Sequence, residues 1–319
     1  MERRREGSTK LRNIHRENEA LVPERQAIEA LPPLGDETFA MDLSGLSLKF
    51  SGLNAPLAGA FRARFAAYAC PPDAAPSPLE VSLHRDAVEY YVTPEATKSE
   101  GYYRLKIVCE KDLLRFVTYS MAAFIDLGAS RAGVAFGRGT FDPRERALEN
   151  FCRLAVAWMS TTRGGFFIHG ASIVRRGRAY IFFGKSASGK STLAKMNTEG
   201  QVVSDDLTLV LPGAGGYAVA GSPFRGTYEG GGPVRGLFPL AGIFRLVQDE
   251  RTFVETPPRA LAFGEFIANL PFINESLNLR PALFDSIEKA ASSIPILFLH
   301  FRTQPDYWPA VDEALAARG

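Results

Sequence analysis

Between residues 36 and 140 apolar and polar positions alternate in short runs: "LSLKF" (46–50), "LEVSL" (79–83), "VEYYV" (88–92), "YRLKIVC" (103–109) and "LRFVTY" (114–119). Gly, Pro, Asp and Lys-Asp clusters separate them. A period of two punctuated by turn residues predicts an antiparallel sheet. One segment breaks the rhythm: in "APLAGAFRARFAAY" (55–68), Leu57, Phe61 and Phe65 recur every four residues, which predicts a helix. This half carries no catalytic constellation, and its pattern is that of a small, strand-rich α+β accessory domain.

The texture changes at "FDPRERALENFCRLAVAWMSTTRGG". Asp142 suits a helix N-cap, Pro143 the first helical position and Glu145 the reciprocal capping position, and Leu148, Phe151, Cys152, Ala155, Trp158 and Met159 trace one apolar face. Next, "GFFIHGASIV" and "RAYIFF" read as strands joined by the turn Arg175-Arg176-Gly177. "KSTLAKMNTEG" reads as a short helix ending at Gly200, and "QVVSDDLTLVL" as a strand, a pair of carboxylates and another strand. Toward the C-terminus, "RALAFGEFIANLPF", "SLNLRPALFDSIEKAA" and "YWPAVDEALAAR" suggest helices. "PILFLHF" (295–301) suggests a buried strand with His300 as a core residue. Strand, glycine loop, helix, strand is the order of an α/β nucleotide-binding core. The expected division is a mobile tail over 1–35, the accessory domain over 36–140 and an α/β domain over 141–319.

Composition narrows the class. A chain of 319 residues has room for two domains, and 46% hydrophobic with 23% charged residues is ordinary for a globular enzyme. A net charge of +2 offers no general attraction for nucleic acid. The charged N-terminal stretch lacks the apolar core of a secretory signal, and no later run is long enough to cross a membrane. Cys70, Cys109 and Cys152 are widely spaced, without metal-ligand spacing, which points to the reducing cytoplasm.

The chemistry concentrates in "GKSASGKST" (184–192). Gly184, Gly189, Lys190 and Ser191 satisfy G-x-x-x-x-G-K-[ST], with Lys185, Ser186, Ala187 and Ser188 between the glycines and Thr192 after them. Glycines let successive backbone N–H groups converge on phosphate oxygens at the start of a helix. Lys190 can reach the β and γ phosphates, and the Ser191 hydroxyl can ligate Mg²⁺. Asp205 and Asp206 fall at the end of the next strand. One could organise Mg²⁺ while the other takes a proton from a hydroxyl. His169, on the strand before the loop-bearing one, could hold and tune such a carboxylate. Arg225 and Arg235, in the glycine-rich "SPFRGTYEGGGPVRG" (222–236), could clamp a phosphoryl group from a mobile loop, or they could be solvated surface arginines.

"FIHGASIV", "GKSASGKSTLA" and "VVSDDLTLV", in that order, resemble the catalytic core of HPr kinase/phosphorylase and its relatives over roughly residues 164–248. That resemblance implies a P-loop core akin to phosphoenolpyruvate carboxykinase, using ATP and Mg²⁺. It implies that His169 is the histidine beside the active site, Lys190 and Ser191 the phosphate and magnesium contacts, and Asp205-Asp206 the acidic pair, with Asp206 as base and Asp205 on the metal side. Thr192 stands where HPr kinases commonly have an acidic residue, their second signature is not found, and the first half is unlike their N-terminal domain. The implied protein is a divergent serine kinase, of the type also found beside modified-peptide biosynthesis genes. Its acceptor would be a hydroxyl on a peptide, protein or small molecule, with homo-oligomerisation left open. The competing class is a nucleotide-binding regulatory module that hydrolyses slowly or not at all. A transport ATPase or GTPase is disfavoured by the absence of their second motifs.

Overall fold

The computed structural model describes residues 22–92, 106–139, 143–185, 187–226, 228, 230, 232–271, 281–302 and 306–318. They form a mixed α/β protein with two mixed sheets, and the chain divides into two compact units. The first comprises residues up to Asp42 together with Ser47–Ala155, the second Leu43–Leu46 together with Val156–Gly319. The division thus passes through the long helix after residue 143, rather than in front of it at 140.

In the first unit, β1 (Glu37–Leu43), β2 (Leu46–Leu53), β3 (Leu79–Arg85), β4 (Lys106–Glu110), β5 (Leu113–Val117), β6 (Met121–Asp126) and β7 (Arg131–Phe136) lie in the order β1-β2-β3-β7-β6-β5-β4. The sheet is not wholly antiparallel as the turn pattern suggests. β2 and β7 both pair parallel with β3, while β4 to β7 form an antiparallel meander. The reason is the crossover carried by helix α2 (Ala55–Arg64), since parallel neighbours need a connection longer than a hairpin. Asn54 caps that helix by accepting from the Leu57 N–H at 3.1 Å, and Leu57, Phe61 and Phe65 are buried beneath it.

Two further expectations for this unit fail for local reasons. "VEYYV" (88–92) is not a strand, because Asp86 accepts the Ala87 and Val88 N–H groups and the Tyr91 hydroxyl, an alternative to ladder pairing. The tail reading over 1–35 is too long. Residues Arg25–Glu29 form α1, Ile28 is buried with Phe124 and Ala135, and Arg25 pairs with Asp126. Residues 1–21 and the proposed cap Asp142 lie outside the described residues. The helix expected there is α3 (Arg144–Thr161).

The second unit holds β8 (Phe166–Arg175), β9 (Arg178–Phe183), α4 (Lys190–Met196), β10 (Gln201–Ser204), β11 (Leu207–Gly213), β12 (Gly216–Ala220), β13 (Leu237–Gln248) and β14 (Phe253–Glu255). It continues with α5 (Arg259–Ile267), α6 (Pro281–Ser293), β15 (Ile296–Phe301) and α7 (Trp308–Ala316). The β8–β9 hairpin closes on Arg176 and Gly177, both at positive φ (53° and 75°), the two-residue turn that matches strand twist. β8 changes partner midway. Its first half pairs with β11, and its second half lies between β9 and β10. β13 lies between β9 and β15 and is parallel to both, so Phe183, Gln248 and Phe301 end three strands on one sheet edge.

Alternation along β9 divides the core. Ala179, Ile181 and Phe183 pack with Phe266, Ile287 and Ala290 of α5 and α6 on one side. Tyr180 and Phe182 pack with Leu193 of α4 and Trp308 and Val311 of α7 on the other. Helices therefore cover both faces of this part of the sheet. His300 is not the core residue the apolar run suggests. It sits at the rim beside edge strand β14, where its ring nitrogens lie 3.1 Å from Asp249 and 3.0 Å from Glu255 and its ring stacks on Phe253. Among the described residues no helix is long and apolar enough to cross a membrane.

Candidate functional site

The loop between β9 and α4 is bent by residues that tolerate left-handed backbone. Gly184 and Gly189 have φ of 154° and 101°, and Ala187 has φ of 63°. Gly189 admits no side chain, because a Cβ there would lie 2.7 Å from the Phe301 ring. Gln248, at the end of β13, donates its side-chain amide to the Ala187 carbonyl at 3.1 Å and backs the strained residue. The ends of three parallel strands thus build and brace one loop, and in open α/β sheets ligands bind at the carboxyl ends of strands.

Lys190 folds back over this loop. Its Nζ donates to the carbonyls of Gly184 (2.7 Å) and Lys185 (3.1 Å), and the residue is buried. Burial pushes its ammonium below the usual lysine range, partly offset by the carboxylate of Asp206. Among the described residues Ser188 Oγ, buried in the same loop, has no hydrogen-bond partner. Ser191 is half-buried, Thr192 and Lys185 are exposed, and Ser186 lies outside the described residues.

The antiparallel register of β8 and β11 sets Leu207 opposite His169, and the Gly170 N–H donates to the Asp206 carbonyl at 2.9 Å. The side chains of neighbours across this pair meet: His169 Nε2 lies 3.2 Å from Asp206 Oδ1, with the His169 side chain half exposed. Asp205 points into different surroundings. It is buried, its Oδ1 accepts the Gly226 N–H at 2.7 Å and its Oδ2 the Tyr228 N–H at 3.0 Å. His169, Ala187 to Thr192, Asp205, Asp206, Gly226 and Gln248 line one open cleft of about 490 Å³.

The two arginines do not meet there. Arg225 donates to the carbonyls of Val202, Val203, Gly230 and Gly232, so its guanidinium is engaged in holding backbone rather than aimed at the cleft. Arg235 is exposed and does not line the cleft either. Gly226, Gln248 and Phe301 are the site residues that sequence reading did not single out. Gly226 had a signal in its glycine-rich surroundings. Gln248 and Phe301 had none, because only strand pairing brings them to the loop. Among the described residues no group of three or more His, Cys, Asp or Glu side chains is placed to hold a metal by itself. The hydroxyl and carboxylates of the cleft suit a hard cation of the Mg²⁺ kind, which takes one or two protein oxygens and completes its shell with phosphate and water.

No protein-family model matches the chain, and no curated protein shows significant similarity to it.

Proposed function

We propose that the protein is an ATP-dependent phosphotransferase of the HPr-kinase-like kind, moving a γ-phosphoryl group to a hydroxyl, most simply a serine, on a peptide, protein or small molecule. The observation that carries the reading is the His169–Asp206 pair, at 3.2 Å, in the same cleft as Lys190 and the 184–191 loop. A module that only senses nucleotide needs the phosphate loop but has no use for a carboxylate held by a histidine and open to solvent.

In this reading the loop amides and Lys190 Nζ bind the phosphates, Lys190 exchanging the carbonyls of Gly184 and Lys185 for phosphate oxygens. The Ser188 hydroxyl is available to the same anion. Ser191, with phosphate and water oxygens completing the shell, would hold Mg²⁺, which would supply charge neutralisation at the transferring group. Asp206 accepts the proton of the acceptor hydroxyl as the hydroxyl oxygen forms the new bond to the γ-phosphorus and the bond from that phosphorus to the β,γ-bridging oxygen breaks, releasing ADP, and His169 keeps Asp206 oriented. The three cysteines form no disulfide, which fits a cytoplasmic enzyme.

Transfer from labelled ATP to candidate peptides, with serine-free versions as controls, tests the proposal. Asp206→Asn should bind ATP within about tenfold of wild type, roughly 1.4 kcal/mol, yet lose on the order of a hundredfold in transfer. Lys190→Ala should lose transfer by a similar factor through weaker transition-state stabilisation, on the order of 3 kcal/mol. Tight ATP binding by a wild type that phosphorylates no hydroxyl would make the regulatory module the better account.

A further inference from the structure

Asp205, the carboxylate that the resemblance to HPr kinases puts on the metal side, is engaged by backbone on both oxygens. Its Oδ1 and Oδ2 accept the N–H groups of Gly226 and Tyr228, and it is only 4% exposed. The segment bearing those amides is tied down at two further points. Arg225 donates to Val202 and Val203 of edge strand β10 and to Gly230 and Gly232 of the segment itself. The Tyr228 ring packs against the apolar cluster that includes Leu193 of α4 and Trp308 of α7. Gly226 is pressed so closely on the acidic pair that a Cβ there would come 2.9 Å from Asp205 Oδ2 and 3.0 Å from the Asp206 Cβ.

We infer that Asp205 is a positioning residue: together with Arg225 it clasps the backbone of Gly226, Tyr228, Gly230 and Gly232 beside Asp206, so that the backbone of Gly226 forms the acceptor side of the cleft. The acceptor role of this side rests on the kinase reading. The clasp does not.

The physical case has three parts. A buried carboxylate that accepts backbone N–H groups forms charge-assisted hydrogen bonds, and removing it leaves those donors unsatisfied. The cleft has a phosphate side, residues 187–192 with Gln248 bracing them, so the rest of its lining is His169, Asp205, Asp206 and Gly226, of which Asp205 is already engaged by backbone. A hydroxyl that gives its proton to Asp206 must come within about 3 Å of a carboxylate oxygen. It can do so past a glycine but not past a side chain lodged between the two aspartates. Gly226 therefore serves the approach of a second molecule, and Asp205 serves Gly226.

The experiment uses the full chain with Asp205→Asn and Arg225→Ala, read by amide hydrogen exchange without ligand and by binding of the fluorescent nucleotide mant-ATP across a Mg²⁺ series. Both variants should speed exchange in peptides covering 222–236 by about tenfold or more, with the rest of the protein unchanged. The Mg²⁺ midpoint for mant-ATP binding should stay within about threefold of wild type, because Asp205 does not carry the ion. A larger midpoint shift in Asp205→Asn, or exchange unaltered in both variants, overturns the inference. If Asp205→Asn fails to fold by circular dichroism, Arg225→Ala decides the clasp alone, since it leaves every carboxylate in place. On the acceptor that wild type phosphorylates, Arg225→Ala should raise KM by about tenfold with kcat less affected, and the reverse split overturns the acceptor-side assignment. A wild type that phosphorylates nothing ends the kinase reading, while exchange and Mg²⁺ dependence still decide the clasp.

Discussion

Lys190 Nζ donates to the Gly184 and Lys185 carbonyls, and its burial holds the ammonium below the ordinary lysine value, with Asp206 opposing that shift. Two pH effects of opposite sign follow. Phosphate binding needs the cation, so mant-ATP affinity should fall as pH rises through the lowered value, below the roughly 10.4 of an exposed lysine. For folding, the unfolded chain holds this proton more tightly than the native one, so the stability of the free protein should gain from Lys190 as pH rises through the same window. Affinity that stays flat up to about pH 10, with the protein folded, would show that Lys190 is not the phosphate cation. His169 acts on a smaller scale. Its side chain is half exposed and touches Asp206 through one nitrogen, so His169→Ala should reduce transfer less than Asp206→Asn does. A loss equal to that of Asp206→Asn, with ATP binding intact, would instead give the imidazole a direct part in proton transfer.

The 184–191 loop is one element whose shape depends on others. Gly189 turns at a φ of 101° directly against the Phe301 ring, so Gly189→Ala combines backbone strain with a 2.7 Å contact. The expected loss is roughly 1–3 kcal/mol of stability. A lower melting temperature should accompany weaker mant-ATP binding, and a variant with both unchanged would mean that the loop is not braced by β15. Several elements were legible beforehand for local reasons. The β8–β9 hairpin announces itself in Arg176-Gly177, α2 in the four-residue spacing of Leu57, Phe61 and Phe65, and the carboxylate pair in its place between two apolar runs. Others were not. β6 and β7 are rich in Ala and Gly, residues of low strand propensity, and they are strands because their neighbours pair with them. Gly133 shows the cause: a Cβ there would sit 2.5 Å from the Phe124 ring of the adjacent strand, so packing chose the small residue.

Within the second unit, long-range ties join the site-bearing sheet to its last helix. Arg175, at the end of β8, donates to Glu199 at 2.8 Å and to both oxygens of Asp312 on α7 (2.6 and 3.0 Å), and lies over the Trp308 ring at 4.6 Å. Its guanidinium is almost fully buried while both carboxylates remain substantially exposed. Arg175→Ala should therefore lower stability by about 2 kcal/mol, less than the loss of a fully buried partner, mainly through packing on Trp308. Arg175 also holds the Asp312 carboxyl below the usual carboxylate range. That contribution is complete above the unfolded value and lost as pH falls through the folded one, so the variant should show a weaker loss of stability with acid in denaturant titrations. An acid limb identical to wild type would separate Asp312 from this pair. By itself the sequence determined whatever depends on neighbours along the chain: the glycine-bent loop after a strand, the hairpin turn, the alternation that buries β9 on both faces, and the types of side chain available for chemistry. Tertiary structure alone decided which of those side chains meet. It joined His169 to Asp206 through the β8–β11 register, brought Gln248 and Phe301 under the loop through parallel pairing, and turned Asp205 and Arg225 toward backbone. The physical reason is that a polar group is recognised by its type along the chain, whereas its hydrogen-bond partner is set by folding, which brings distant segments together and must satisfy every buried donor and acceptor at once.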